Sequence, residues 1–285
     1  MHRSKLLLLS TMILALALGG AACGKKEKKS KKRDTAAQGG GAAGGGAAAG
    51  GDTMPDPNAG GGAAAAGGSG TIAGKVDFTG TAPEMPKLKR EADPFCAKTE
   101  MTAETVLVNE NKTLRNVLVR IKPGTVKGPA PTEPIKIEQH DCMYRPRVQG
   151  AVAEQEITIH NGDQTTHNVH AFDVRTAENN AEESLFNLAQ PKGAAEITKD
   201  ANGYDLMKFK CDVHPWMLGY VVVNDHPYFA VTGEDGSFKI EGVPAGKYTL
   251  EAWHEHYGVK TAEVEVADKG SAEATFAYDG TEKAL

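Results

Sequence analysis

The sequence predicts an all-β chain that begins to fold only after its first quarter. From Thr71 onward, short apolar or alternating runs recur, among them 71–78, 105–108, 117–121, 156–160 and 219–223, each bounded by Gly, Pro, Asn or Asp. One segment alone, 181–189 ahead of Pro191, reads as a short helix. Before Thr71, Gly and Ala dominate and there is no apolar periodicity from which to build a core. The chain has 285 residues and a formal net charge of −5, a balance that gives no footprint for nucleic acid.

In chain order, residues 1–22 read as a secretory signal: a basic start (His2, Arg3, Lys5), an apolar run from Leu6 to Leu18, then small residues up to Ala22. The run is short for a membrane span, and its small-residue exit suits cleavage. Cys23 follows at once, and small residues before Cys resemble a bacterial lipobox, which implies lipid attachment at Cys23. Gly20 stands where that motif usually has Leu, so ordinary cleavage near Ala22 is the alternative. Gly24 after the Cys, rather than Asp, points by the same resemblance to the outer membrane rather than the inner one. Residues 23–70 are expected to form a disordered tether, first Lys-rich and then Gly/Ala-rich. A flexible chain of roughly 45 residues reaches about 35 to 40 Å, enough to hold a domain off a membrane.

The chemistry lies further on. Cys211, His214 and Met217 fall within seven residues, between an alternating segment ending at Phe209 and the Val-rich run 219–223. A thiolate, an imidazole and a thioether on one inter-strand loop are three of the four ligands of a blue-copper centre, which needs a second imidazole from elsewhere. His167 supplies it, after the strand 156–160 and the turn Asn161-Gly162-Asp163; His170, three residues on, faces the other side of a strand. Taken singly, Cys-x2-His is a weak signal, read as half a zinc site or as nothing, and a Met near a strand end is ordinary core. All four types in this order, flanked by strands, point to metal.

His-Asn-Val-His at 167–170 and Cys-x2-His-Pro-x-Met at 211–217 make the segment 135–224 resemble a cupredoxin of the amicyanin and plastocyanin type, with the short loop of the former. The resemblance implies a Greek-key β-sandwich holding one copper ion, with His167, Cys211 and His214 as equatorial ligands and Met217 on the axis. It also implies a backbone N–H contact from Asn168 to the Cys211 sulfur. Further on, 231–240 and 242–250 are two strands joined by tight Gly/Pro turns. They resemble the second half of a carboxypeptidase regulatory-like domain, a small transthyretin-like β-sandwich. Its first half is missing immediately upstream and is expected within 71–134, so that 135–224 is inserted and 225–278 completes the sandwich; two domains in linear order are the alternative.

Of the 4 cysteines, Cys23 on lipid and Cys211 on metal leave Cys96 and Cys142, which in an exported chain are expected to pair. The bridge would contribute about 4 kcal/mol for a loop of this length. A soft-metal site at Cys142 with His140 and Met143, and a labile one at His254 and His256, are weaker readings. Trp216, between two ligands, is expected near the exposed edge of His214 or buried against the second sandwich. No nucleophile–base pair or open-coordination motif argues for an enzyme. The expected function is one-electron transfer between a donor and an acceptor redox protein, by a lipid-anchored protein of the bacterial envelope. The rival is a surface binding module that sequesters or delivers copper, or recognises polysaccharide or a partner protein.

Overall fold

Residues 68–175, 180–203 and 205–283 are described by the computed structural model; the leader, Cys23 and the tether through residue 67 lie outside the described residues. The described part is all-β, as expected, with one short 3-10 turn, Cys96–Lys98, as its helical element. Its strands are β1 (Gly70–Phe78), β2 (Leu118–Ile121), β3 (Ile135–His140), β4 (Met143–Arg145), β5 (Val148–Val152), β6 (Glu156–Asn161), β7 (His167–Arg175) and β8 (Ala181–Gln190). There follow β9 (Ile197–Asp200), β10 (Leu206–Lys210), β11 (Leu218–Asn224), β12 (Phe229–Val231), β13 (Ser237–Val243), β14 (Gly246–His254), β15 (Gly258–Val266) and β16 (Ser271–Tyr278).

Four sheets form, in the orders β5-β11-β10-β7-β8, β4-β3-β6-β9, β13-β1-β16 and β12-β2-β14-β15. The first two enclose a core of Ile137, Tyr144, Ile157, Ile159, Val169, Phe209 and Val221, in which Cys211 and Met217 also lie. The other two enclose Ile72, Val76, Val119, Ile121, Phe238, Ile240, Leu250 and Phe276. The alternation of β14, with Tyr248, Leu250, Ala252 and His254 buried and their neighbours part-exposed, is what a strand with one face on a core requires. Strand β1 pairs antiparallel with β13 and parallel with β16. β2, before the segment 135–224, and β12, after it, are hydrogen-bonded neighbours.

β11 is buried on both faces, and this explains its Val-rich, non-alternating sequence. Val221 and Val223 face the core that holds Cys211 and Met217, while Tyr220 and Val222 join Leu118, Val148 and Phe229 in an apolar layer between the two sandwiches. Gly150 on β5 has no side chain because the Phe229 ring lies against its backbone, 2.3 Å from where a Cβ would be. Across this layer Arg147 and Glu255 form a buried ion pair, Nη2 donating to Oε2 at 2.8 Å, with side chains 4% and 3% exposed.

Three local expectations are corrected. The segment 181–189 is strand rather than helix: its Glu- and Ala-rich composition is overridden by a ladder to β7 that runs from His167↔Gln190 to Arg175↔Ala181. Glu182 on that edge strand binds Lys208 and Lys210 of β10. The run 105–108 forms no strand; Val108 makes an isolated bridge to Leu114 across a tight turn with Lys112 at φ 60°. Residues His254 and His256 form no surface pair. His254 is 1% exposed, its Nδ1 accepts the backbone N–H of His256 and Tyr257, and burial pushes its pKa down to about 3.

Because the Arg147–Glu255 pair is desolvated, removing one partner strands the other. Arg147→Met is expected to cost about 3–5 kcal/mol of stability, and Arg147→Met with Glu255→Leu much less. Urea unfolding of the two variants checks this; equal losses in both would contradict it.

Candidate metal centre

His167 opens β7, and Cys211 and His214 lie on the loop from β10 to β11. The antiparallel pairing of β7 with β10, with His170 opposite Lys210, brings the first of these next to the loop. The structure thereby unites three of the expected ligands: donor atoms of His167, Cys211 and His214 lie within 4.8 Å of one another, all buried. The two Nδ1 atoms are 2.9 Å apart, and the Cys211 sulfur is 4.0 Å from Nδ1 of His214. Met217 is fully buried in the same core, and its N–H closes the loop on the His214 carbonyl at 2.9 Å. His170 points away, its Nδ1 3.1 Å from the Asp212 carboxylate and its Nε2 3.0 Å from Ser184.

Asn168 organises the loop. Its N–H donates to the Cys211 sulfur at 3.5 Å, and its side-chain oxygen accepts the N–H groups of Asp212 and Val213. Tyr144, buried below, shares its hydroxyl between the carbonyls of Asn168 and Lys210 at 2.9 and 3.0 Å, tying β7 to the end of β10 where the ligand loop begins.

The decisive feature is what holds the far side of each imidazole. His167 Nε2–H donates to Asp163 Oδ2 at 2.8 Å, and His214 Nε2–H donates to Asp93 Oδ2 at 3.1 Å. With both Nε2 atoms as donors, both Nδ1 atoms carry lone pairs, and these face each other beside a sulfur. Such a buried, electron-rich cluster favours a cation, metal or proton, among its members. The donor set therefore fits a soft or borderline metal. In the metal-free protein a proton takes that place. Burial alone would lower the pKa of His167, but its bonds with Asp163 and Cys211 raise it to about 8. Burial likewise works against the Cys211 thiolate, yet the His167 contact and the Asn168 N–H bring its pKa below the ordinary thiol value.

Neither carboxylate has a signature in the sequence: Asp163 belongs to the turn Asn161-Gly162-Asp163 and Asp93 to a charged stretch with prolines nearby, and a single acidic residue at such a place carries no motif. Asp163 also accepts the N–H groups of Asp141 and Cys142 at 2.9 and 2.8 Å, fixing the left-handed turn between β3 and β4. That turn holds Cys142, bonded to Cys96 with a Cα–Cα distance of 5.7 Å; as half of a disulfide, Cys142 offers no thiolate to a site with His140 and Met143. Trp216 packs within the sandwich that carries Cys211 and His214, donating its Nε1–H to the Cys142 carbonyl at 3.0 Å with its ring 5.1 Å from that of His214. The expected exposed edge of His214 is absent: the residue is 2% exposed beneath the turn that holds Asp93 and Cys96.

Residues 217–282 match the family of the ER membrane protein complex subunit 7, beta-sandwich domain. No curated protein matches the chain. Among solved structures, the chain is similar to a mutant of amicyanin in its Cu(I) form, at 21% identity over 32% of this chain and 82% of that one, with a TM-score of 0.28. It is also similar to a purple cupredoxin from Nitrosopumilus maritimus, at 22% identity over 32% and 99%, TM-score 0.27. A third is a Cu-containing nitrite reductase from Thermus scotoductus SA-01, at 15% identity over 36% and 25%, TM-score 0.26.

Since His167 keeps its proton up to about pH 8, a metal ion must expel it. Apparent affinity for Zn(II) is expected to fall at least about tenfold per pH unit below that value, with proton release at pH 7. Calorimetric titration in buffers of different ionisation enthalpy checks this; an affinity flat between pH 6 and 8 would contradict it.

Proposed function

We propose that this chain is an exported copper protein of the cupredoxin type that carries single electrons between a donor and an acceptor protein. The observation that supports it is the buried convergence of His167 Nδ1, His214 Nδ1 and the Cys211 sulfur, with the Asn168 N–H on that sulfur. Copper bound there would supply the reversible one-electron chemistry. The chain's part is to fix the donors in advance. Asp163 and Asp93 orient the imidazoles, Asn168 and Tyr144 fix the sulfur and its loop, and the surrounding apolar core keeps water out; Met217, buried in that core, would offer its thioether as a further ligand. A pocket that needs little rearrangement between oxidation states suits a carrier.

In this reading the segment 135–224 is an insertion in the second, regulatory-like sandwich. The pairing of β2 with β12 and of β1 with β13 supports it, since an inserted domain needs its entry and exit side by side. Cys23 carries lipid, and the chain works at the cell envelope, on the outer membrane or in the periplasm.

One observation favours sequestration of copper over electron transfer: His214, the ligand nearest the surface loop, is closed off from solvent. The two readings separate on redox behaviour. A carrier should develop an intense visible thiolate-to-copper band on addition of Cu(II), absent in Cys211→Ser, and cycle reversibly in voltammetry. A store should bind copper but show no reversible couple. A protein that stays colourless with Cu(II) would sink the carrier reading.

A further inference from the structure

We propose that Asp93, supplied from outside the sandwich that carries the ligands, is a positioning residue for the metal centre: it locks His214 in its metal-facing orientation and closes its outer edge. The proposal rests on the reading of His167, Cys211 and His214 as ligands.

The loop by itself would leave His214 at the surface. Its neighbours Val213 and Pro215 are exposed, Val213 by 53%, and a ring between them would be free to turn about its side-chain bonds. The turn at 93–96 and the loop's own Trp216 hold it. The Asp93 carboxylate takes its Nε2–H, the Cys96 sulfur lies 3.7 Å from the same nitrogen, and Trp216 packs on the ring.

Asp93 is itself held fast. Its Oδ1 accepts the N–H groups of Phe95 and Cys96 at 2.7 and 3.2 Å, and its Oδ2 accepts the Thr165 hydroxyl at 2.6 Å. Thr165 lies two residues before His167, so one carboxylate joins the segments of both imidazole ligands. The turn carrying Asp93 is anchored through Cys96 to Cys142 and through Arg90, which donates to the Asp141 carbonyl. The turn at 141–142 is in turn fixed by Asp163, the partner of the other imidazole. Both Nε2 carboxylates thus belong to one braced assembly.

The chemistry follows. An anion accepting Nε2–H fixes the tautomer that leaves Nδ1 free for metal and makes that nitrogen more basic, which favours Cu(II) over Cu(I). A locked ring also slows the first step of metal loss, the swing of one ligand out of the coordination sphere.

The test uses the full-length chain with Asp93→Ala, Asp93→Asn and Asp93→Glu, in two states. Without metal, nitrogen-15 NMR should find the His214 Nε2–H protected from exchange in the parent and fast-exchanging in Asp93→Ala. With copper, Asp93→Ala should lose metal to a Cu(I) chelator about ten- to a hundredfold faster. Asp93→Asn should raise the reduction potential, and Asp93→Glu should recover part of both effects. If Asp93→Ala does not fold, Asp93→Asn and Thr165→Val give the same comparison. Unchanged exchange, metal loss and potential across the folded variants would overturn the proposal. Failure of the ligand reading would look different: no form, parent included, would take up copper, while loss of His214 Nε2–H protection in Asp93→Ala would still uphold the positioning of the ring.

Discussion

The hydrogen bonds from His167 to Asp163 and from His214 to Asp93 decide what the rest of the site can be. Each removes one nitrogen of an imidazole from play and turns the other, with its lone pair, inward. Two lone pairs and a sulfur in a buried space repel one another unless a cation lies among them. In the metal-free protein the same logic appears as a raised pKa at His167 and a lowered one at Cys211. The Asp93 carboxylate stays ionised to match: its burial is outweighed by donors from Thr165, Cys96, Phe95 and His214, which hold its pKa down at about 2.

These two carboxylates are also where site and fold meet. Asp163 braces the turn that holds Cys142, and Asp93 heads the turn that holds Cys96, so the disulfide and the imidazoles share their supports. Around them lie the cores of two sandwiches and the apolar layer between, with β11 buried on both faces. Rigidity at the metal-facing nitrogens therefore draws on elements well beyond the ligand loop, including a turn that precedes the ligand-bearing sandwich in the chain.

Much of this was legible in the sequence, because strand periodicity and ligand chemistry both act locally. The alternating segment that ends at Phe209 and the Val-rich run 219–223 read as strands and are β10 and β11, with Cys211, His214 and Met217 on the loop between them. Three of the expected ligands, His167, Cys211 and His214, meet in space, although one lies more than forty positions from the others. What stayed hidden depends on long-range partners. Ala181 to Gln190 has a helix former's composition, and only its ladder to β7 makes it a strand. Asp93 has no local signature; its meaning comes from His214, 121 residues away. Covering of the His214 edge was invisible for the same reason, because the turn that covers it reads as an irregular Pro-rich stretch.

As proposed, one thiolate and two imidazoles are held ready for copper in a geometry that either oxidation state can use. X-ray absorption at the copper edge of the loaded protein, recorded oxidised and then reduced, tests this most directly. The account predicts one short copper–sulfur bond and two imidazole nitrogens in both states, with little change between them. A shell of nitrogen and oxygen alone, or a coordination number that changes on reduction, would contradict it.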